Sequence, residues 1–362
     1  MGSGQLVHLP ITCESAYLER CENSSAAMPK SLPDIDEAAI TLSARMLRTG
    51  KLVAFPTETV YGLGANALDA AAVARIYAVK GRPATSPLIV HVASIEMAQS
   101  LVARWPETAE RLSRKFWPGP LTLVLDKARE PESDGKAARS TAAIPAIVTA
   151  GLGTVGLRMP AHPVALALIR AAEIPLAAPS ANRFTHLSPT TADHVRSSLG
   201  NEVDYILDGG PCAVGIESTV LSLAGPRPIL LRPGGISREQ LESEIGSISV
   251  QQDVPTGAHP SPGMQARHYS PRTPLFLAGK GELPEAGKGI YLQHRHRPSR
   301  WDLTVIEMPD SPAEYAAALY DTLHRSDEAG CDWIVVDRPP DTPDWEAVLD
   351  RLRRASSPPE TH

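Results

Sequence analysis

Aromatic residues make up only 5% of the 362 positions, and no RNP-like aromatic motif is present, which counts against a surface built to stack nucleic-acid bases. Cysteines are as sparse. Cys13, Cys21, Cys212 and Cys331 form no CxxC pair and two of them sit in a polar leader, so neither a zinc finger nor a disulfide framework is indicated and a cytoplasmic location is expected. Long apolar runs are missing as well. The richest stretch, Ala161 to Ala181, is broken by His162, Pro163, Arg170, Glu173, Pro175 and Pro179, short of the roughly 18 uninterrupted residues of a membrane helix. A soluble chain with no membrane partner is expected. Lys plus Arg (35) and Asp plus Glu (41) leave a net charge of −6, too little positive charge for general nucleic-acid binding. The chain also lacks a GxxxxGK[ST] phosphate loop, a GxSxG nucleophile elbow and any histidine pair with persuasive metal spacing, so no resident metal is expected.

Turn-forming residues are abundant. Thirty-four prolines and 26 glycines, with 43% hydrophobic and 21% charged residues, describe a folded chain of many short elements joined by rigid turns. At about 150 residues per domain the length suggests two domains. Residues 1–32 are Ser-rich and read as a loose N-terminal extension. A helix is predicted from Pro33 to Thr49, followed by alternation. Strands are predicted at Leu52–Phe55, Leu88–Val92, Leu121–Leu125, Thr154–Met159, Leu176–Ala178 and Tyr205–Leu207, with helices at Asp69–Val79, Ile95–Arg104, Pro163–Ala172 and Thr190–Leu199. Residues 33–246 thus form an α/β unit. Residues 247–271 lose periodicity and read as a linker, and 272–362 read as a smaller α/β domain with strands near Leu275, Ile290, Leu303 and Trp333.

Two glycine patterns, Gly62 to Ala67 and Gly151 to Gly156, satisfy the dinucleotide-binding expression but lack its context. The first is separated from its strand by Pro56 to Tyr61 and the second opens a strand instead of a helix. More informative are strands ending abruptly in polar residues. Lys51 to Phe55 leads into the hydroxyl-rich loop Pro56 to Gly64, and Asp69 to Val79 leads into Lys80-Gly81-Arg82-Pro83, two cations suited to polyphosphate or, more simply, to a helix C-terminus. Arg158, at the end of an apolar strand, requires an anionic partner. Ala178 to Asn182, Gly215 to Val220 and Leu231 to Gly235 repeat the strand-end pattern, while His91 in its strand reads more readily as a satisfied core residue than as a ligand-binding one. Together these polar ends imply a pocket for a small, anion-rich ligand.

The strings FPTETVYGLG (55–64), KGRP (80–83), SPLIVHV (86–92), WPGPLTLVL (117–125), VGLRMPAHP (155–163), APSAN (178–182), GIESTV (215–220) and LLRPG (230–234), in this order, resemble the YrdC-type threonylcarbamoyl-AMP synthases. The SPGMQARHYSP segment and the domain after it resemble the longer, two-domain form. The resemblance implies an α/β (α+β-like) fold, with a twisted mixed sheet and flanking helices around a large concave cavity, and a smaller Rossmann-like α/β domain. It implies an enzyme making L-threonylcarbamoyl-AMP from L-threonine, bicarbonate or CO2, and ATP, with pyrophosphate release and Mg²⁺ carried on the nucleotide. The product is implied to pass to a tRNA threonylcarbamoyl transferase complex, with at most a weak tRNA contact. Carried over residue by residue, the catalytic K-x-R and S-x-N signature falls on Lys80, Arg82, Ser180 and Asn182. L-Threonine is implied to meet Thr59, His91, Arg158, Ala178 and Ser218. ATP is implied to meet Arg82, Ser86, Thr154, Ser180, Ser188 and Arg232, with Tyr269 closing as a lid. Two other readings were weighed: a non-catalytic RNA- or tRNA-binding module, disfavoured by the net charge, and a carbamoyl transferase of hydrogenase maturation, disfavoured by the scattered cysteines.

Overall fold

The computed structural model describes residues 36–128, 143–251, 267–279, 284, 286–298 and 303–356. The predicted extension at 1–32, the polar stretch 129–140 and most of the predicted linker, 252–266, lie outside the described residues.

Short apolar runs buried on both faces assemble into a ten-stranded mixed sheet. In chain order the strands are β1 (Val53–Phe55), β2 (Gly62–Asn66), β3 (Ile89–His91), β4 (Leu121–Asp126), β5 (Thr154–Arg158), β6 (Leu176–Ala177), β7 (Tyr205–Ile206), β8 (Thr219–Ser222), β9 (Ile229–Arg232) and β10 (Ser249–Val250). In space they run β10-β9-β8-β4-β5-β3-β6-β2-β1-β7. The flanking helices are α1 (Glu37–Arg48), α2 (Ala70–Lys80), α3 (Ile95–Ser100), α4 (Glu107–Phe116), α5 (Pro163–Ala172), α6 (Ala192–Leu199) and α7 (Arg238–Ile245). Side chains fix their starts: Asp36 caps α1 by accepting from the amides of Ala38 and Ala39 at 2.9 and 3.0 Å, and Ser237 with Gln240 forms a capping box on α7. Alternation along β1 sends Val53 and Phe55 into a cluster with Leu47 of α1 and Leu168 of α5, and Ala54 into the main core with Leu63, Ile76 and Leu157.

A second sheet is wholly parallel, in the order β11 (Leu275–Leu277), β14 (Trp333–Val336), β12 (Gly289–Gln293), β13 (Thr304–Glu307). Helices α8 (Pro312–Glu328) and α9 (Glu346–Ala355) pack with it through Leu319, Leu323 and Leu352. This core does not stop at its own strands. It takes in Val60, Leu187, Ile216 and Tyr269, so the two sheets share one apolar interior where they meet. There Gly215 has φ 76°, and a Cβ would stand 2.5 Å from the Ala316 carbonyl oxygen, so only glycine allows α8 to approach.

The fold class is the one expected, with local differences. Residues 62–66, read as the end of a loop, pair antiparallel with β1, and β10 forms inside the stretch read as a linker. Helix α4 escapes periodicity because half of ETAERLSRKF is charged and it buries only Ala109, Leu112 and Ser113. Neither glycine pattern opens a helix: one lies on β2 and the other runs into β5.

Candidate active site

Sheet register brings the polar strand ends together. Parallel pairing of β3 with β5 sets His91 beside Arg158, and antiparallel pairing of β8 with β9 sets Val220 beside Arg232. These ends, with the β1–β2 loop, the turn after α2 and the loop after β6, line a cavity of about 50 Å³. Arg82, Arg158 and Arg232 all face it, as does Tyr269. All three arginines are buried, at 7%, 4% and 3% exposure, so each must be satisfied from within.

At the turn after α2, Gly81 adopts φ 63°, a left-handed helix end that glycine takes without strain. The turn aims the flanking cations differently. Arg82 donates from Nε to the Ser86 carbonyl at 3.2 Å and from one terminal nitrogen to Ser86 Oγ at 2.6 Å and the Pro87 carbonyl at 2.9 Å, with the Phe184 ring 5.6 Å away. Burial pulls its pKa down to about 10, leaving it charged at neutral pH. Lys80 reaches instead to the carbonyls of Ser180 and Asn182, both at 2.5 Å, and to Asn182 Oδ1 at 3.5 Å. Burial, aided by nearby Arg82, pushes its pKa well below the usual lysine value. Three oxygens match the three hydrogens of an ammonium, however, and favour the charged form. Of the expected signature, Arg82 and Ser180 line the cavity; Lys80 and Asn182 stand behind it and fix the shape of the Ser180 loop.

On another wall Arg158 finds the anionic partner its burial demands. Its guanidinium pairs with Glu58 at 2.7 Å and donates to Thr59 Oγ1 at 2.9 Å and the Gly119 carbonyl at 3.4 Å. Glu58 in turn accepts from the Ala161 amide at 3.0 Å. His91 is held neutral: burial first and then Arg158 lower its pKa to about 3, and its Nδ1 has no hydrogen-bond partner among the described residues. An unpartnered buried nitrogen on a pocket wall suits a polar ligand.

The opposite wall is Glu217, Ser218 and Arg232. Arg232 donates to the Ser218 carbonyl at 3.1 and 2.9 Å and to Ser218 Oγ at 3.2 Å, while that hydroxyl also meets Thr122 Oγ1 at 2.8 Å. Ser188 donates to Glu217 at 2.6 Å and so lies behind the wall. Ser86 stands behind Arg82, and Thr154 lines a smaller adjoining cavity with Thr122, Thr149 and Gly156; the two cavities share Ile89. Ala178 and Tyr269 line the main one. Tyr269 has φ 59°, a backbone region costly for an aromatic residue, and its hydroxyl has no hydrogen-bond partner among the described residues.

The sequence reading missed Glu58, Glu217 and His268 as pocket residues. A signal existed for the carboxylates, since both sit among hydroxyls in loops leaving or entering buried strands and needed cations. His268 is buried with both ring nitrogens unpartnered among the described residues. Burial, then Arg82, Lys80 and Arg232, push its pKa well below the ordinary value.

Among the described residues no group of three or more His, Cys, Asp or Glu side chains could hold a metal ion. The two carboxylates facing the cavity are each committed to an arginine, Glu58 to Arg158 and Glu217 to Arg351. Neither carboxylate is therefore free to hold a Mg²⁺ of its own. Among the described residues no helix is long and apolar enough to cross a membrane.

Both parts of the chain match known proteins. The family described as Telomere recombination matches residues 45–234, and that described as Threonylcarbamoyl-AMP synthase, C-terminal domain, matches residues 236–357. The chain is 41% identical to the threonylcarbamoyl-AMP synthase of Pyrococcus abyssi over 339 residues, covering 89% of this chain and 95% of that protein. It is 42% identical to that of Bacillus subtilis over 336 residues, covering 89% and 94%. A crystal structure of P. abyssi Sua5 complexed with L-threonine superposes with a TM-score of 0.78 at 40% identity, covering 88% of this chain and 94% of that one. With both parts matched in order and nearly the full length of each relative covered, the chain belongs to the threonylcarbamoyl-AMP synthase family.

Proposed function

We propose that this chain joins L-threonine, CO2 or bicarbonate, and ATP into L-threonylcarbamoyl-AMP, releasing pyrophosphate, as the first step toward threonylcarbamoyladenosine in tRNA. The observation that carries the reading is three buried arginines around one small cavity, each held by protein oxygens and each on a wall of different chemistry.

In this reading the Glu58–Arg158–Thr59–His91 wall takes the amino acid. Arg158 has five N–H donors and spends some on Glu58, Thr59 and Gly119, leaving a fork edge for a substrate carboxylate. Ala178 and Ser218 complete that subsite. Arg82, Ser180 and Arg232 take the phosphates, and Thr154 extends the nucleotide side through its adjoining cavity. Ser86, Ser188, Lys80 and Asn182 hold these groups in place from behind. Mg²⁺ arrives on the nucleotide, neutralising phosphate charge.

The threonine amine adds to CO2 and loses a proton, giving a carbamate. One carbamate oxygen forms a bond to the α-phosphorus as the bond to pyrophosphate breaks. The chain's contribution is positioning and charge stabilisation: no residue needs to form a covalent intermediate. The enclosed site also shields the labile mixed anhydride from water until it passes to a transferase that loads tRNA. Titration calorimetry tests the amino-acid wall. L-Threonine should bind the wild-type chain and fail to bind the variant Arg158→Ala. Absence of threonine binding alongside steeply salt-dependent tRNA binding would favour the RNA-binding alternative.

A further inference from the structure

Arg351, on α9 of the second sheet's unit, is the most deeply committed charge that the proposed reaction leaves unused. It is 1% exposed, and every arm is occupied. Its Nε donates to Glu217 Oε2 at 2.8 Å, one terminal nitrogen donates to the carbonyls of Glu217 at 3.2 Å and Pro233 at 3.1 Å, and the other pairs with Asp350 at 2.7 Å. Its guanidinium carbon lies 5.1 Å from the centre of the Tyr269 ring. From α8, Tyr320 donates to the same Glu217 oxygen at 3.1 Å and packs its ring 5.9 Å from that of Tyr269.

A buried ion pair of this kind contributes little net stability compared with well-packed apolar residues. Its placement has a geometric consequence instead. The partners of Arg351 are the wall carboxylate Glu217, the residue following Arg232, and the lid Tyr269, whose left-handed backbone persists only if its surroundings hold it. None of its contacts reaches the Glu58–Arg158 wall.

We infer that Arg351 is a positioning residue through which the second unit builds the nucleotide side of the pocket, setting Glu217, the Arg232 turn and Tyr269 in the arrangement that encloses ATP. The inference rests on the reading above that this pocket takes ATP. Without Arg351 the Glu217 carboxylate loses its ion-pair partner and is left with the hydroxyls of Ser188 and Tyr320 and the charge of Arg232, which the polyphosphate also needs, and Tyr269 loses the cation on its face. Both effects fall first on ATP and reach threonine only through Ser218, beside Glu217.

The full-length chain is compared with Arg351→Gln, Arg351→Lys and Tyr320→Phe, measuring MgATP and L-threonine affinities separately by calorimetry, KM and kcat for pyrophosphate release, and melting curves. Arg351→Gln should weaken ATP binding and raise its KM by roughly 10- to 100-fold, the usual effect of breaking a buried charge pair, with threonine affinity within about twofold. Arg351→Lys keeps the charge but loses the planar fork, so it should recover only part of the ATP affinity. This variant also guards against a failure of Arg351→Gln to fold. Tyr320→Phe should cost ATP about two- to fivefold. Unchanged ATP affinity in Arg351→Gln, or parallel loss of both ligands in step with melting temperature, would overturn the inference while wild-type turnover leaves the reaction standing. A wild-type chain that binds no ATP overturns both.

Discussion

The two arginine–carboxylate pairs walling the pocket differ in where their halves originate. Glu58 and Arg158 both belong to the first sheet and the loop that leaves it, so the wall proposed for threonine has both halves of its ion pair within one unit. Glu217 belongs to the first unit but Arg351 reaches it from α9, so the wall proposed for the nucleotide has an ion pair completed by the second. The contrast teaches that a second sheet remote in sequence can be part of an active site without lining it. The shared core of Val60, Ile216 and Tyr269 with Leu319 and Leu323 packs the two units together where that reach is made.

The comparison breaks most visibly at Arg158. Replacing it with Ala strands Glu58 in the interior, so denaturant unfolding should register a loss of about 3–5 kcal/mol and threonine-dependent turnover should vanish. The double variant Glu58→Gln with Arg158→Met should regain much of the stability and none of the turnover. Were turnover restored, the arginine would be structural only. Next in size, Arg82→Ala should reduce pyrophosphate release by about 100- to 1,000-fold with threonine affinity nearly unchanged, because the lost charge faces the phosphates. Lys80→Ala should lower turnover through the freed Ser180 loop, and soluble, folded protein with full activity would remove that assignment.

The pH dependence of folding is a more gradual test. Burial holds His91 at about 3, and His162 and His324 at about 4, against 6.5 for a free imidazole. Below pH 6.5 the unfolded chain therefore binds more protons than the folded one. Stability should be full above pH 6.5 and decline steadily as pH falls toward 4. His91 and His162 belong to the first unit and His324 to α8, where it stacks on His194 of α6 with ring centres 3.8 Å apart. Acid should thus loosen the junction along with the threonine wall. A flat melting temperature between pH 7 and 5 would contradict these environments. Smallest, Ser188→Ala removes the 2.6 Å bond to Glu217 and should cost ATP affinity only about two- to fivefold, leaving threonine untouched.

Much of this was legible in the sequence because strand ends in an α/β sheet announce themselves: a short buried run, then glycine, serine or a lone cation. Arg158 is the clearest instance, since an arginine closing VGLR had to meet an anion, and Glu58 in FPTETV was available to supply it. The illegible part is tertiary. Arg351 sits in EAVLDRLRRA among three arginines within four residues, and Arg351 is buried while neighbouring Arg353 is exposed. No local spacing distinguishes the two. Likewise Lys80 and Arg82 look equivalent as a cation pair, and only the left-handed turn at Gly81 sends one behind the pocket and the other into it.

The most direct test is the nucleotide product. The purified chain is incubated with ATP, bicarbonate and Mg²⁺, with and without L-threonine, and the product is weighed by mass spectrometry as pyrophosphate is followed. Pyrophosphate release that requires threonine, with a product of the mass of threonylcarbamoyl-AMP, is the predicted result. Threonine-independent release, or AMP with no adduct in a folded chain under conditions where the adduct is stable, would contradict the account.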